Sequence, residues 1–309
     1  MVTFVYVTIL GRNTWKMMQN KDFAVFILTH GRPDNVKTLA TLKKCGYSGP
    51  VYFIVDNEDK TIDQYIKNFG SDSVKVFDKK AMADSVDEGN NFDERRTITH
   101  ARNACFDIAK ELGITYFIQL DDDYAQFNYR YLSECGTKLL RKWADLNSTF
   151  DIYLEFYKKT QFKSIALAQG GDLIGGAGNI NAQKSPLSRK CMNSFICSTE
   201  RPFQFVGAMN EDVNTYTTLG SRGNLFGTIP LISLKQKETQ QQKSGITDMY
   251  LRFGTYCKAF TTVMMHPSGT KVSIMNTSNP RIHHLVKWLN TVPVIINEKH
   301  RKNGKNGKN

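Results

Sequence analysis

Ile114-Thr115-Tyr116-Phe117-Ile118-Gln119-Leu120-Asp121-Asp122-Asp123 is the stretch that decides the fold. An apolar run rich in β-formers ends abruptly in three carboxylates. Unpaired charges are too costly to bury, so the acids must emerge at the strand's C-terminal end. In open α/β sheets the ligand crevice forms at that edge. Clustered carboxylates there are hard oxygen ligands for Mg²⁺ or Mn²⁺, and such ions hold phosphates. The plainer alternative is a solvated acidic turn.

Upstream, the chain alternates between two periods. Phe23 to Thr29 is a continuous apolar run, as in a strand buried on both faces. His30-Gly31-Arg32-Pro33-Asp34-Asn35 is turn chemistry, and a helix through Val36, Leu39, Ala40 and Lys43 follows, stopped by Gly46. Strands are predicted at Val51–Val55 and Val74–Phe77, with a helix over Thr61–Phe69 between them. A further helix, Thr97–Leu112, feeds the acid-tipped strand. The alternation predicts an α/β fold with a mostly parallel sheet and helices on both faces. The second half is less regular. Gly170–Asn179 reads as a Gly-rich loop or tight turn, Ser194–Cys197 and Phe203–Val206 as short strands, and Phe260–Met265 as another strand. Gln236–Ser244 reads as a polar loop or exposed helix end.

With 309 residues and 40% hydrophobic content, the chain suits one large domain with a real core. Its formal net charge of +12 exceeds what an enzyme of small metabolites needs and points to a polyanionic partner or an anionic membrane face. Part of the excess lies in the Gly/Asn-rich tail from Glu298 to Asn309, which reads as a disordered arm or a solubilising tail. The six cysteines are scattered without a CxxC pair, which indicates free thiols rather than zinc or a redox motif. Val2–Leu10 lacks a cationic leader and a small-residue cleavage site, and no segment has the length and apolarity of a membrane helix.

Five further constellations carry candidate chemistry. The first strand exits into Thr29, Gly31 and Arg32 at a helix start, where anions are favoured. The second exits into Asp56, which suits a ribose or base edge, or a turn. On the helix before the triple acid, Arg102 follows Ile98 by four and lies on or beside the buried stripe, with Asn103 next to it. A buried guanidinium needs an anionic partner, either the acidic strand ends in a structural pair or a bound diphosphate. Glu211 and Asp212 form a later acid pair, suited to general-base work or to a helix N-terminus. His266 closes the predicted strand Thr261–Met265 as a possible imidazole ligand or an ordinary satisfied histidine.

Asp121-Asp122-Asp123 is similar to the Asp-X-Asp signature of nucleotide-sugar transferases. The order of Thr29-His30-Gly31-Arg32-Pro33, Asp56, Ala101-Arg102-Asn103, the triple acid, the Gly-rich loop, Asn210-Glu211-Asp212 and His266 resembles the GT-A glycosyltransferase core over residues 22 to 270. The phrases Thr29–Val36, Tyr47–Tyr52 and Asp121–Tyr124 are most similar to the TET-associated glycosyltransferases of bacteriophages. That resemblance implies a UDP-sugar donor, Mn²⁺ or Mg²⁺, and double-stranded phage DNA containing 5-hydroxymethylcytosine as acceptor, in the cytoplasm of an infected bacterial host. It implies that Thr29, Gly31, Arg32, Asp56, Arg102, Asn103 and Asp121 bind the donor, and that Asp121, Asp123 and His266 hold the metal. Asp212, or secondarily Glu211, would be the base. The middle acid, Asp122, leaves the register of the motif open. The implied segments are an extension (1–21), a nucleotide-sugar half (22–135), an irregular acceptor half (136–290) and a basic tail (291–309). Basic residues Arg189, Lys190, Arg201, Arg222, Lys235, Lys237 and Lys243 are candidate backbone contacts. Two alternatives share these features: a transferase for surface polysaccharide or a lipid-linked acceptor, and a non-catalytic nucleic-acid-binding module on a degenerate transferase fold.

Overall fold

A computed structural model describes residues 22–88, 95–183, 187–236, 247–275 and 280–293. The expected N-terminal extension, most of the Gln-rich segment, Lys237, Lys243 and the tail beyond 293 lie outside the described residues.

In chain order the elements are β1 (Phe23–Leu28), α1 (Lys37–Lys44), β2 (Val51–Asp56), α2 (Ile62–Phe69), β3 (Val74–Phe77), α3 (Lys79–Asp84), α4 (Thr99–Glu111), β4 (Tyr116–Asp121), β5 (Gln126–Leu132), β6 (Leu139–Trp143), α5 (Leu146–Lys159), β7 (Phe162–Gln169), α6 (Ile180–Gln183), β8 (Ser194–Ser198), α7 (Glu211–Ser221), β9 (Leu225–Lys235), α8 (Thr247–Met265, broken at Gly254), β10 (Thr270–Met275), β11 (Arg281–Val286) and α9 (Trp288–Thr291). One sheet of nine strands runs β3-β2-β1-β4-β8-β7-β9-β5-β6. Its first four strands are mutually parallel. Beyond β4 the pairing becomes mixed: β8 runs antiparallel to β4 and β7, β9 runs parallel to β7, and β5 runs antiparallel to both β9 and β6. The sheet is continuous across residue 135, since β5 and β6 form one hairpin.

The reason β1 is wholly apolar is visible in its two faces. Phe23, Val25 and Ile27 enter a core shared with Leu42, Tyr65, Phe150 and Tyr153, while Ala24, Phe26 and Leu28 enter a second core with Cys105, Phe106 and Val213. The strand therefore needs helices on both sides. On the second face Gln119 is fully buried, and its amide donates to the Arg102 carbonyl at 2.9 Å, fixing α4 against β4.

Two expected strands are different structures. Residues 203–206 form no ladder, because the backbone of Phe205 is bonded on both sides by the Asn103 side chain: Asn103 Nδ2 donates to its carbonyl at 3.0 Å, and its N–H donates to Asn103 Oδ1 at 2.8 Å. Residues 260–265 are the last turns of α8. Ala259, Thr262 and His266 are buried while Phe260 and Met264 are exposed, a helical spacing. A six-residue apolar run does not by itself separate the two cases. The Gly-rich segment is two short 3-10 turns, Gly170–Leu173 and Gly176–Gly178. At the C-terminal end α9 is pressed onto α7: a Cβ at Gly220 would lie 2.0 Å from the Thr291 carbonyl oxygen. Among the described residues no helix is long and apolar enough to cross a membrane.

Candidate active site

The register of β1 against β4 pairs Leu28 with Asp121, so the exits of the two strands lie side by side. The backbone of the acid turn is moored by α1. Thr38 Oγ1 donates to the Asp121 carbonyl at 2.5 Å, the Thr38 N–H to the Asp122 carbonyl at 3.1 Å, and Thr41 Oγ1 to the Tyr124 carbonyl at 2.9 Å. Within that turn the three acids are not equivalent. Asp122 is 2% exposed; its Oδ2 accepts from Thr29 Oγ1 at 2.7 Å and faces Arg32 Nε at 3.3 Å. It ties the β1 exit to the β4 exit. Burial raises the Asp122 carboxyl, with Arg32 opposing.

Asp121 turns toward α4. Its Oδ1 accepts from Arg102 Nη2 at 3.1 Å, and Arg102 Nε donates to Glu211 Oε1 at 3.0 Å. Arg102 is 1% exposed and lies 4.9 Å from the Phe195 ring and 5.8 Å from that of Phe205. A guanidinium in such a place persists only because two carboxylates meet it. Its third nitrogen, Nη1, is buried and makes no hydrogen bond. Burial pushes the Asp121 carboxyl up to about 7; Arg102 pulls it down, and Asp123, Glu211 and Asp122 push it further up. Asp123, half-buried, is also raised by burial, with Asp122 adding to the rise and Arg32 and Gln236 opposing it. The corner therefore gathers four carboxylates, Asp121, Asp122, Asp123 and Glu211, around two arginines, Arg102 and Arg32.

Glu211 and Asp212 open α7. The residue before them, Asn210, takes the left-handed conformation (φ 55°), and its amide donates to the Lys258 carbonyl at 2.7 Å and to Thr262 Oγ1 at 2.9 Å. The sharp turn at Asn210 sends the two acids to different neighbours. Glu211 meets Arg102, while Asp212 Oδ1 accepts from the Val213 N–H at 2.7 Å. Burial and the adjacent Glu211 push the Asp212 carboxyl up to about 6, against the pull of the Val213 N–H, Lys258 and Arg102. A carboxyl so placed is suited to proton transfer near neutral pH.

The β2 exit is a second polar corner. Asp56 Oδ2 meets His30 Nδ1 at 2.6 Å and Oδ1 meets Lys79 Nζ at 3.3 Å. Burial alone would raise this carboxyl, but His30 and Lys79 outweigh it and hold it below the usual value. The His30 imidazole is raised by the same bond. Gly31 (φ 65°) donates its N–H to Asp59 Oδ2 at 2.6 Å, and the Arg32 N–H donates to Tyr65 Oη at 2.9 Å. His30 belongs to the turn read from sequence, and Asp59 to the acidic run that follows Asp56; Lys79 and Tyr65 do not stand out there, since nothing in a helix start or a helix interior marks them as neighbours of Asp56 and Thr29.

Thr29, Gly31, Arg32, Asp56, Arg102, Asp121, Asp123, Glu211 and Asp212 are thus gathered along one end of the sheet. Asn103 is a strut, its amide wholly committed to the Phe205 backbone. Among the described residues His266 makes no hydrogen bond or ion pair with any of these acids. It sits just past the end of α8, its Nε2 against Ser268 Oγ at 3.2 Å and its ring so close to Gly269 that a Cβ there would lie 2.1 Å from Cε1. Burial and the cation of Arg222, the residue ending α7, depress its pKa. Among the described residues no three His, Cys, Asp or Glu side chains surround one metal-sized point. The acids therefore fit a cation that takes two carboxylates and fills its remaining positions with water and phosphate oxygens, the habit of Mg²⁺ and Mn²⁺.

Several solved structures align with the chain at low identity. A mycobacterial protein aligns over 89% of each chain at 10% identity and a TM-score of 0.48. Glucosyl-3-phosphoglycerate synthase from Mycobacterium tuberculosis, solved with Mn²⁺, UDP and phosphoglyceric acid, aligns over 90% of each at 11% identity and 0.43. A mannosyltransferase from Pyrobaculum calidifontis, solved with GDP-Man and Mn²⁺, covers 79% of this chain and 73% of its own at 10% identity and 0.44. No curated protein matches in sequence. The family profile of the TET-associated glycosyltransferases matches residues 23–245, from the first residue of β1 through β9, a span that takes in both polar corners and the Glu211–Asp212 pair; the chain belongs to that family of glycosyltransferases.

Proposed function

We propose that the protein is a metal-dependent glycosyltransferase of the GT-A type that moves a sugar, glucose or a pentose such as arabinose, from a UDP-sugar to the hydroxyl of 5-hydroxymethylcytosine in phage DNA. It would act in the cytoplasm of an infected bacterium. The observation that carries this reading is the β4 exit, where four carboxylates gather around two arginines, with Arg102 holding one buried nitrogen unbonded. Asp121 and Asp123 are the residues that would hold Mn²⁺ or Mg²⁺. The bound ion supplies Lewis-acid stabilisation of the departing diphosphate. Arg102 Nη1 is available to a diphosphate oxygen, and the Asp56–His30–Lys79 corner to the nucleoside. Asp212 takes the proton of the acceptor hydroxyl as that oxygen bonds to the anomeric carbon and the bond from that carbon to the diphosphate oxygen breaks. The donor half corresponds to residues 22–135 and the acceptor half to 136–290.

The family name and the +12 charge support a modified DNA acceptor. The test is incubation with Mn²⁺, a panel of UDP-sugars and duplex DNA containing 5-hydroxymethylcytosine, followed by mass spectrometry of the digested nucleosides. A glycosylated hydroxymethylcytidine is expected with one donor. No product with any donor, alongside turnover of a carbohydrate acceptor, would overturn the acceptor assignment.

A further inference from the structure

We propose that the β5–β6 hairpin is a nucleic-acid-docking ribbon, a surface separate from the acid corner; the proposal rests on the duplex-acceptor reading above. The hairpin closes one edge of the nine-stranded sheet. Residues 126–143 carry Arg130, Lys138, Arg141 and Lys142 against a single acid, Glu134. Arg130 and Arg141 stand directly opposite each other in the ladder. Like charges at opposed positions cost stability, so this pair is a burden on the isolated protein. Arg130 Nε is buried without a hydrogen bond, and among the described residues none of the four cations makes an ion pair.

Aromatic side chains are interleaved with the cations. By register Trp143 shares the face of Arg130 and Arg141, and Lys44 Nζ lies 4.0 Å over its ring; on the opposite face Lys142 Nζ lies 5.6 Å from the Tyr129 ring and 6.0 Å from that of Tyr131. Tyr131 and Trp143 are 40% and 41% exposed. Lysines on an edge strand can serve only to prevent sheet-to-sheet pairing. That purpose calls for neither a cross-strand arginine pair nor an exposed tryptophan on the same face. Cations that lack carboxylates, set among rings able to lie against sugar or base, match a nucleic-acid backbone. The ribbon also begins at the acid corner. Asp123 precedes Arg130 by seven residues, at most about 23 Å of extended chain or roughly seven base pairs of duplex, so a helix gripped at Arg130 reaches the acid corner.

The test uses the full chain and an unmodified 30-base-pair duplex, with affinity followed by fluorescence anisotropy from 50 to 200 mM KCl. Removing one cation that neutralises a phosphate lowers the slope of log affinity against log salt by about 0.9, so the Arg130→Gln/Arg141→Gln double variant is expected to lower it by about 1.8. Lys110→Gln/Lys75→Gln removes the same charge from the end of α4 and from β3 and should leave the slope at the wild-type value. The double variant should melt no lower than wild type, since it removes a repulsion. An unchanged slope, or an equal fall in the control, overturns the proposal; so does a ribbon that loses binding to an acidic protein such as poly-Glu while keeping its hold on DNA. If the ribbon variants lose salt slope but the wild type glycosylates no DNA, the acceptor reading fails and the ribbon stands. If the wild type glycosylates hydroxymethylated duplex and the slope is unmoved, the ribbon fails and the acceptor reading stands.

Discussion

Asp56 and Asp121 occupy matching places, each the last residue of a strand that flanks β1, and their surroundings drive them in opposite directions. Asp56 has a histidine and a lysine within bonding distance and is held below the usual carboxylate range. Asp121 has one arginine, shares it with Glu211, and is crowded by Asp122 and Asp123, so burial drives it to about 7. The first corner is electrostatically complete without a visitor. The second sets four carboxylates against two arginines. The difference locates where an added cation stabilises the protein and where a neutral or hydrogen-bonding ligand does.

The comparison breaks first at Asp123. Asp123→Ala should lower kcat/KM for sugar transfer about a thousandfold by removing several kcal/mol of transition-state stabilisation, measured at saturating Mn²⁺. Turnover within threefold of wild type would mean that the surplus carboxylates do not serve a cation. Asp212→Asn should cost about 10²–10⁴-fold in kcat with little change in donor affinity. In the wild type, kcat/KM should climb as pH rises through about 6, because the base must lose its proton, and that limb should vanish from the residual rate of the variant. A limb that persists unshifted assigns it to another group. Arg102→Leu should destabilise the fold by about 3–5 kcal/mol, since it strands Glu211 and Asp121 as buried carboxylates, and Mn²⁺ should recover part of the loss in a thermal melt.

The smallest effect is expected at the completed corner. Asp56→Asn should raise the donor KM about tenfold through one charge-assisted hydrogen bond, leaving kcat nearly intact. The His30 imidazole should fall back toward its ordinary 6.5, readable by NMR. The sign follows from the two shifts. The raised His30 contributes stability below 6.5 that is lost as pH rises through its folded value, and the lowered Asp56 contributes stability above 3.8 that is lost as pH falls. Wild type minus variant should therefore be greatest between those limits; a difference that grows above pH 8 would contradict the pairing.

Much of the first half is legible from pattern because its strands are buried on both faces and its helices on one. The periods of β1, α1, β2, α2, β3, α4 and β4 are unambiguous, and strand ends name their own acids. The second half resists for physical reasons. In β5, Phe127, Tyr129 and Tyr131 alternate with Asn128 and Arg130 at strand period, but its partner β6 is an edge strand with no continuous buried face. Phe203–Val206 has strand composition, but its hydrogen bonds go to an asparagine side chain and not to a neighbouring strand. The apolar run at 260–265 belongs to a helix whose buried residues, Ala259, Thr262 and His266, straddle it. Arg102 is readable as a buried cation needing an anion; that its partners are Asp121 and Glu211, 19 and 109 residues away, is a matter of tertiary assembly. Lys79 reaches Asp56 by the same route.

The contact between Gly220 and the Thr291 carbonyl has a bearing on the opposite end of α7. A methyl group at 220 has nowhere to go except by pushing α9 off or driving the helix along its axis, and the helix begins with Glu211 and Asp212. The α9 turn is thus a backstop behind the helix that carries Asp212, and, on the role proposed for that carboxyl, Gly220→Ala is expected to slow turnover from roughly three helical turns away.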